Sequence, residues 1–413
     1  MTEHHIDDLS SSARSRRLWM ALVLGALASF GPLSIDMYLP ALPTLADDLH
    51  TTTSLAQLSL TFCLLGLSLG QLLAGPLSDV RGRRMPLIAG LLVYTVASLL
   101  CAFSPSIWAL IALRFIQGFA GAAGIVISRA IVRDMYSGTE LTKFFSLLML
   151  VNGVAPIFAP IAGGQLLRAT AWPGVFVVLS VFGVLMLLAV IFGLPETLPV
   201  QRRSKGGITN TLKTFRSLAS DRMFMGYALS QGLVIAAMFA YISGSPFVIQ
   251  NIFGASPQMY SMFFAINGLG IIIAGQITGR LAGKLGEKKL LVSGLVLAML
   301  GGVTLLAMIL VGAGLYAILV PLFFVVSSVG IVSATSFALA MQNQAQAAGS
   351  ASALLGLLSF IAGGVVAPLV GLGGSGTAVP MGIVIAAADV GAVVCYLLMI
   401  RRKKASAVYS ASA

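Results

Sequence analysis

Charge is what this chain has least of. Only 9% of its 413 residues are Asp, Glu, Lys or Arg, where a soluble domain carries about 25%. With 58% hydrophobic residues and a mean hydropathy of +0.98, the composition excludes an ordinary soluble domain and points to an integral membrane protein. Histidine and cysteine are scarce too, at three each. His4, His5 and His50 lie outside the apolar runs. Cys63, Cys101 and Cys395 lie singly inside them, at spacings that match neither a metal site nor a disulfide framework. There is no phosphate-cradling loop of the G-x-x-x-x-G-K-[ST] kind, so ATP is not the energy source. Nor are there paired acids at the fixed spacing a membrane prenyltransferase needs. No enzyme constellation is left, and no metal or cofactor site.

What the chain does have is long apolar segments. A spanning helix needs about 20 apolar residues, and twelve stretches qualify: 18–39, 55–77, 86–104, 106–128, 144–167, 173–194, 223–249, 258–280, 290–312, 315–341, 349–371 and 378–400. The 45 glycines suit helices that approach closely in lipid. The net charge of +12 falls in short clusters between the runs, which fits membrane topology and anionic lipid rather than nucleic acid. With both termini cytoplasmic, basic residues should gather on alternate loops. They do: 23 of the 25 Lys and Arg lie before span 1, after spans 2, 4 and 8, between spans 6 and 7, and after span 12. A cleaved signal peptide, with Arg14–Arg17 as its basic region and Ala26-Leu27-Ala28 as its cleavage site, is the competing reading of the first run. The apolar stretch continues past Ala28, which favours a retained span.

The longest polar stretch divides the chain six spans plus six. The expected organisation is a cytoplasmic tail (1–17), a six-helix bundle (18–194), a linker (195–222), a second six-helix bundle (223–400) and a basic tail (401–413). A weak internal repeat crosses the linker. Gly75-Pro-Leu-Ser-Asp79-Val-Arg-Gly82-Arg83-Arg84 follows span 2, and Gly279-Arg-Leu-Ala-Gly283-Lys-Leu-Gly286-Glu287-Lys288 follows span 8, 204 residues later. The glycines at the first and eighth positions coincide, while Asp79 becomes Gly283. Such a repeat favours two halves related by an axis along the membrane normal.

Three charges stand well inside the spans: Asp36 in GPLSIDMYLPALP (31–43), Arg114 in span 4 and Asp389 in span 12. Intramembrane ionisable groups are costly and normally face a bundle interior or an aqueous cavity. Pro40 and Pro43 mark the expected end of span 1.

The segment GPLSDVRGRR resembles the G-x-x-x-D-x-x-G-R-[KR] loop of the major facilitator superfamily. In it Gly75 would let span 2 approach a neighbour, Gly82 would support a tight turn, and Asp79 would accept charge-assisted hydrogen bonds from Arg83 or from a helix N-terminus. With Arg84, these residues would form a cytoplasmic gate. Arg114, Gln117 and Gly118 resemble the superfamily's span-4 motif R-x-x-Q-G. Ala159-Pro160-Ile-Ala-Gly163-Gly164 resembles the core of its antiporter motif, G-P-x-x-G-G, with alanine in place of the first glycine. Together with LPETLP (194–199), the pattern is similar to the Bcr/CflA subfamily of proton-driven drug exporters. The resemblance covers essentially the whole chain; its specific motifs lie mostly in the N-terminal half.

The resemblance implies an all-α membrane protein with twelve transmembrane helices in a bacterial plasma (inner) membrane. It would export small amphipathic compounds against inward-moving protons, with no cofactor beyond the proton motive force and no nucleic-acid partner, as a lipid-embedded monomer. Asp36 would carry the proton. Arg114, at a comparable depth on a helix lining the same cavity, would tune it or contact substrate. Tyr38, Gln117, Asn152, Tyr241, Phe247 and Asn267 are candidate cavity residues. Asp389 is read as a second protonatable group, a residue bonded to a polar neighbour, or a lipid or partner contact. Two other functions stay open: a proton-coupled uptake symporter for a sugar or small metabolite, and a non-transporting sensor or scaffold.

Overall fold

The computed structural model describes residues 19–203, 215–342, 344 and 348–401. The tail at 1–17, nearly all of the basic tail at 401–413, and Lys205 and Lys213 lie outside them. The described residues are helical, without strands. Helix α1 is bent, Trp19–Ala28 and Phe30–Asp48 meeting at 44°. It is followed by α2 (Thr53–Arg81), α3 (Arg84–Ala102), α4 (Ile107–Met135), α5 (Gly138–Leu166), α6 (Pro173–Gly193) and α7 (Arg222–Ile252). The remainder are α8 (Pro257–Leu285), α9 (Glu287–Leu310), α10 (Leu315–Met341), α11 (Ala348–Val370) and α12 (Val379–Ile400). Among the described residues ten helices are long and apolar enough to span a bilayer, and the bent α1 makes an eleventh. In α5 the apolar described stretch is Gly153–Leu166.

The prolines at 40 and 43 do not end α1. They reshape it: a 3-10 turn at Leu39–Ala41 leads into another helical stretch, Leu42–Asp48. Proline is tolerated there because the first turn of a helix leaves its N–H groups unpaired anyway. Helices α2 and α8 run about one turn, and α4 about two turns, further toward the basic loops than hydropathy alone predicts, since a helix can continue past the apolar slab into water.

Within each half glycine makes a close helix crossing. A Cβ on Gly66 would strike the backbone of α4 at Phe115 and Phe119, and one on Gly118 would strike the Cys63 carbonyl of α2. In the second half Gly270 meets Ser327 and Phe323 of α10. Gly66 and Gly270 are separated by the same 204 residues as the repeated loop. The repeat therefore extends into helix packing. Its turn is also shared: Gly82 has φ +90 and Gly286 φ +78, a conformation that disfavours other residues. Gly75 does not have its expected role of close approach, because a Cβ there would sit an ordinary 3.6 Å from Val126.

Between the halves, α2 packs on α11 and α5 on α8. At the end away from the basic loops, polar side chains lock this contact onto backbone carbonyls across the interface. Gln57 donates to Ser243 (3.0 Å), Thr61 to Gly364 (3.1 Å) and Ser54 to Pro368 (3.0 Å). Gln258 donates to Gly164 and Ser261 to Pro160, both at 2.7 Å. The Gly364 carbonyl has no helical donor of its own, because the residue four further on is Pro368.

Candidate functional site

The lock closes one end of a cavity of about 1050 Å³ that opens at the other, between the two halves. Helices α1, α2, α4, α5, α7, α8, α10 and α11 all contribute to its wall. The wall is largely apolar, with Leu67, Ile125, Phe239, Ile242, Phe264 and Phe360 among its members. Its acidic and basic side chains among the described residues are Asp36 and, on the gate loop and the adjoining face of α4, Asp79, Arg83, Arg129 and Arg133.

Asp36 ends the helical stretch Phe30–Asp36 and is buried, at 6% exposure, yet still faces the cavity. No side chain among the described residues pairs with it. It lies within electrostatic reach of the Tyr241 and Tyr260 hydroxyls of the other half. Tyr241 accepts a hydrogen bond from Asn267 Nδ2 (3.0 Å) and stacks on Phe264 at 5.5 Å between centroids. Asp36, Tyr241 and Asn267 thus share the cavity.

Arg114, Gln117 and Tyr38 do not. Arg114 is fully buried inside the N-terminal half, donating to Gln117 Oε1 one turn along its own helix. The Tyr38 and Phe176 rings stand over its guanidinium at 4.8 and 5.6 Å, a cation–π enclosure. Gln117 passes the chain of bonds to Ser98 (2.8 Å), and Tyr38 bonds Ser59 (3.0 Å). Nε and Nη2 of Arg114 have no acceptor. The expected Asp36–Arg114 neighbourhood is therefore absent from this conformation. Comparable depth on neighbouring helices does not make two side chains face one space. Phe247 is also elsewhere, beside Gln57 and Met381 at the closed end. The Asn152 side chain lies outside the described residues.

The antiporter-like residues stand at the lock. A Cβ on Gly163 would strike the Met37 carbonyl of α1, and one on Gly164 would meet Ser261 Oγ of α8 at 2.5 Å. Ala159 is buried and Pro160 supplies the carbonyl that Ser261 reaches.

At the open end the gate residues form a web within the N-terminal half and, among the described residues, do not bridge to the other. Arg83, 2% exposed, donates to Asp79 (2.5 Å), Asp134 (2.7 Å) and Ser78 (2.8 Å). Burial disfavours its charge, but bonding to Asp134 and Asp79 outweighs that and holds the guanidinium more firmly protonated than usual. Glu196, from LPETLP, accepts the backbone N–H groups of Arg83 (2.8 Å) and Arg84 (3.2 Å) at the start of α3. Arg84 itself donates to the Ile191 carbonyl. Burial pushes the Glu196 carboxyl up, while these N–H groups, that of Leu198 and the Arg203 guanidinium pull it below its ordinary value. Sequence reasoning missed Glu196 and Asp134 as partners of this loop, since they are 113 and 51 residues from Arg83.

Asp389 is fully buried in the second half beside Gly302 and Ala386, and neither carboxyl oxygen has a partner. Fully buried and without a hydrogen-bond partner among the described residues, it matches neither the lipid or partner contact nor the bonded polar neighbour in this conformation.

The sequence profile of the Major Facilitator Superfamily matches residues 16–368. The chain is 48% identical to an uncharacterised MFS-type transporter, YdgK, of Bacillus subtilis (strain 168), over 91% of this chain and 93% of that one. It is 31% identical to a bicyclomycin resistance protein homologue of Haemophilus influenzae, over 92% and 96% of the two chains. A crystal structure of a mutant of the nucleoside transporter NupG superposes with a TM-score of 0.76, at 14% identity, covering 92% of this chain and 100% of that one.

Proposed function

The chain belongs to the Major Facilitator Superfamily, and from that premise we propose that it exports amphipathic, drug-like compounds in exchange for protons. It is a multi-pass membrane transporter rather than an enzyme, and needs no cofactor. In this reading twelve helices cross a bacterial inner membrane with both termini cytoplasmic. The basic end is then cytoplasmic, and the conformation described is inward-open. The 31% identity to a drug-resistance protein homologue supports export of drugs in particular.

One observation carries the reading. The cavity is largely apolar and its closed end holds a carboxylate, Asp36, that no side chain among the described residues neutralises. An ionised carboxylate in such a place is costly unless something supplies the missing charge. A proton can, and so can the cationic end of a substrate. Both compete for one group, so loading the substrate releases the proton inward, and protonation from outside releases the substrate. That competition is antiport. Between the two events the lock at Gln57, Thr61, Ser54, Gln258 and Ser261 must open and the gate end must close, a two-state rearrangement of rigid halves.

The test is Asp36→Asn in cells lacking their own exporters and in proteoliposomes. It should abolish proton-driven efflux of compounds found by a drug-susceptibility panel while leaving membrane insertion intact. Normal active efflux by Asp36→Asn would refute the proton-site assignment. Proton-driven accumulation in right-side-out rather than inside-out vesicles would instead support the uptake symporter. Flux that is lost on replacing Asp79 would exclude a sensor or scaffold.

A further inference from the structure

Arg129 is a cavity-lining cation that the transport reading leaves unused. It lies on the same wall as Ile125, one helical turn nearer the mouth, and is half-buried. Its Nε is shielded from solvent and has no hydrogen-bond partner. No carboxylate among the described residues pairs with it, because the nearby acids Asp79 and Asp134 are both held by Arg83. Arg133, one turn further out, is exposed at the mouth.

The cavity is therefore polarised lengthwise. Its level can be set from Gly31, where a Cβ would lie 3.1 Å from Ile125 Cδ1. From that contact α1 runs five residues toward the closed end to Asp36, while α4 runs four residues toward the mouth to Arg129. At 1.5 Å per residue the Cα atoms of Asp36 and Arg129 stand about 13 Å apart along the axis. Most of the wall is apolar, with Ile35, Val126, Phe264 and Ile271, and Ser68, Gln231 and Asn267 add polar side chains to it.

We propose that the cavity selects zwitterionic amphiphiles: an amine at Asp36, an apolar body along the wall, and an anionic group at Arg129. The inference rests on the export reading. It differs from that reading in what it requires, because a purely cationic drug satisfies Asp36 alone. A guanidinium with a free donor in a partly desolvated wall is suited to a carboxylate, phosphonate or sulfonate.

The experiment uses the full-length protein in nanodiscs and proteoliposomes with norfloxacin, whose carboxylate and piperazine lie at opposite ends of a flat ring system, and with its methyl ester, which keeps only the cation. The wild type should bind norfloxacin about tenfold more tightly than the ester, the effect of one charged hydrogen bond. R129Q should remove that preference by bringing norfloxacin to the ester's affinity, and R129K should restore part of it. D36N should weaken both probes. Retained ester binding by R129Q, abolished by adding D36N, shows that the variant is folded. Equal affinity of the wild type for both probes would overturn the inference. So would an equal loss of both in R129Q, which would place the guanidinium in the gate or on an anionic lipid headgroup. Flux of the ester by the wild type reports on the export reading by itself, so the two can fail separately.

Discussion

The closed end of the cavity makes a sharp prediction, because one of its hydrogen bonds is irreplaceable in only one state. Thr61 Oγ1 donates to the Gly364 carbonyl at 3.1 Å, both inside the packed α2–α11 contact. Pro368 denies that carbonyl its helical donor. Thr61→Val keeps the shape and removes the hydroxyl. While the end is closed, the Gly364 oxygen is then buried without a partner, which costs about 1–3 kcal/mol. When the end opens, water reaches the oxygen and the penalty disappears. The mutation thus acts on the closed state alone. Taking about 1.4 kcal/mol, the open-to-closed ratio of this end should rise about tenfold. Spin labels at Arg168 and Ser375, exposed positions on the two halves at this end, would read it by pulsed dipolar spectroscopy, in a protein whose Cys63, Cys101 and Cys395 have been replaced. Thr61→Val should shift the distance distribution toward longer values, and Thr61→Ser should match the wild type. A Thr61→Val distribution that superimposes on the wild type would show that the lock does not hold the conformation.

Two further outcomes are expected. Gly118→Ala should lower the melting temperature, since its Cβ would strike the Cys63 carbonyl, and overpacking of this kind costs about 1–3 kcal/mol; Gly75→Ala, with 3.6 Å to spare at Val126, should be nearly silent. Glu196 is depressed below 4.5, so its contribution is present above that pH and is lost as pH falls through its lower folded value. Being largely exposed, it contributes only about 0.5–1 kcal/mol. Glu196→Gln should melt earlier than the wild type at about pH 6, and the gap should narrow as the pH is lowered below 4.5; a gap that does not narrow on acidification would refute the assignment.

Much of the architecture was legible because a bilayer imposes a simple rule. A backbone in lipid must pair its polar groups within a helix or a closed barrel, so in an all-helical chain apolar length becomes helix length, and among the described residues ten of the expected spans, eleven with the bent α1, have counterparts long and apolar enough to cross a bilayer. The gate turn was legible for a similar reason, as Gly82 needs a positive φ that few residues accept. Asp36 stood out because charge is so rare in this chain, and rarity of charge is itself a sequence property.

Which intramembrane charges share a space was decided only by tertiary structure. Sequence gives depth along a helix, whereas facing depends on rotation about the helix axis and on which partner covers each side. Arg114 turned toward Gln117 and the Tyr38 and Phe176 rings, sealed within one half. Arg129, which in the sequence was one more basic residue near a loop, turned into the cavity. The state of the molecule was likewise invisible beforehand. Polar residues in span 2 announce hydrogen bonds, but only packing showed that Gln57 and Thr61 reach across 186 and 303 residues to close one end. A carbonyl accepts from any donor that fits, and which donor arrives is a matter of how two whole halves meet.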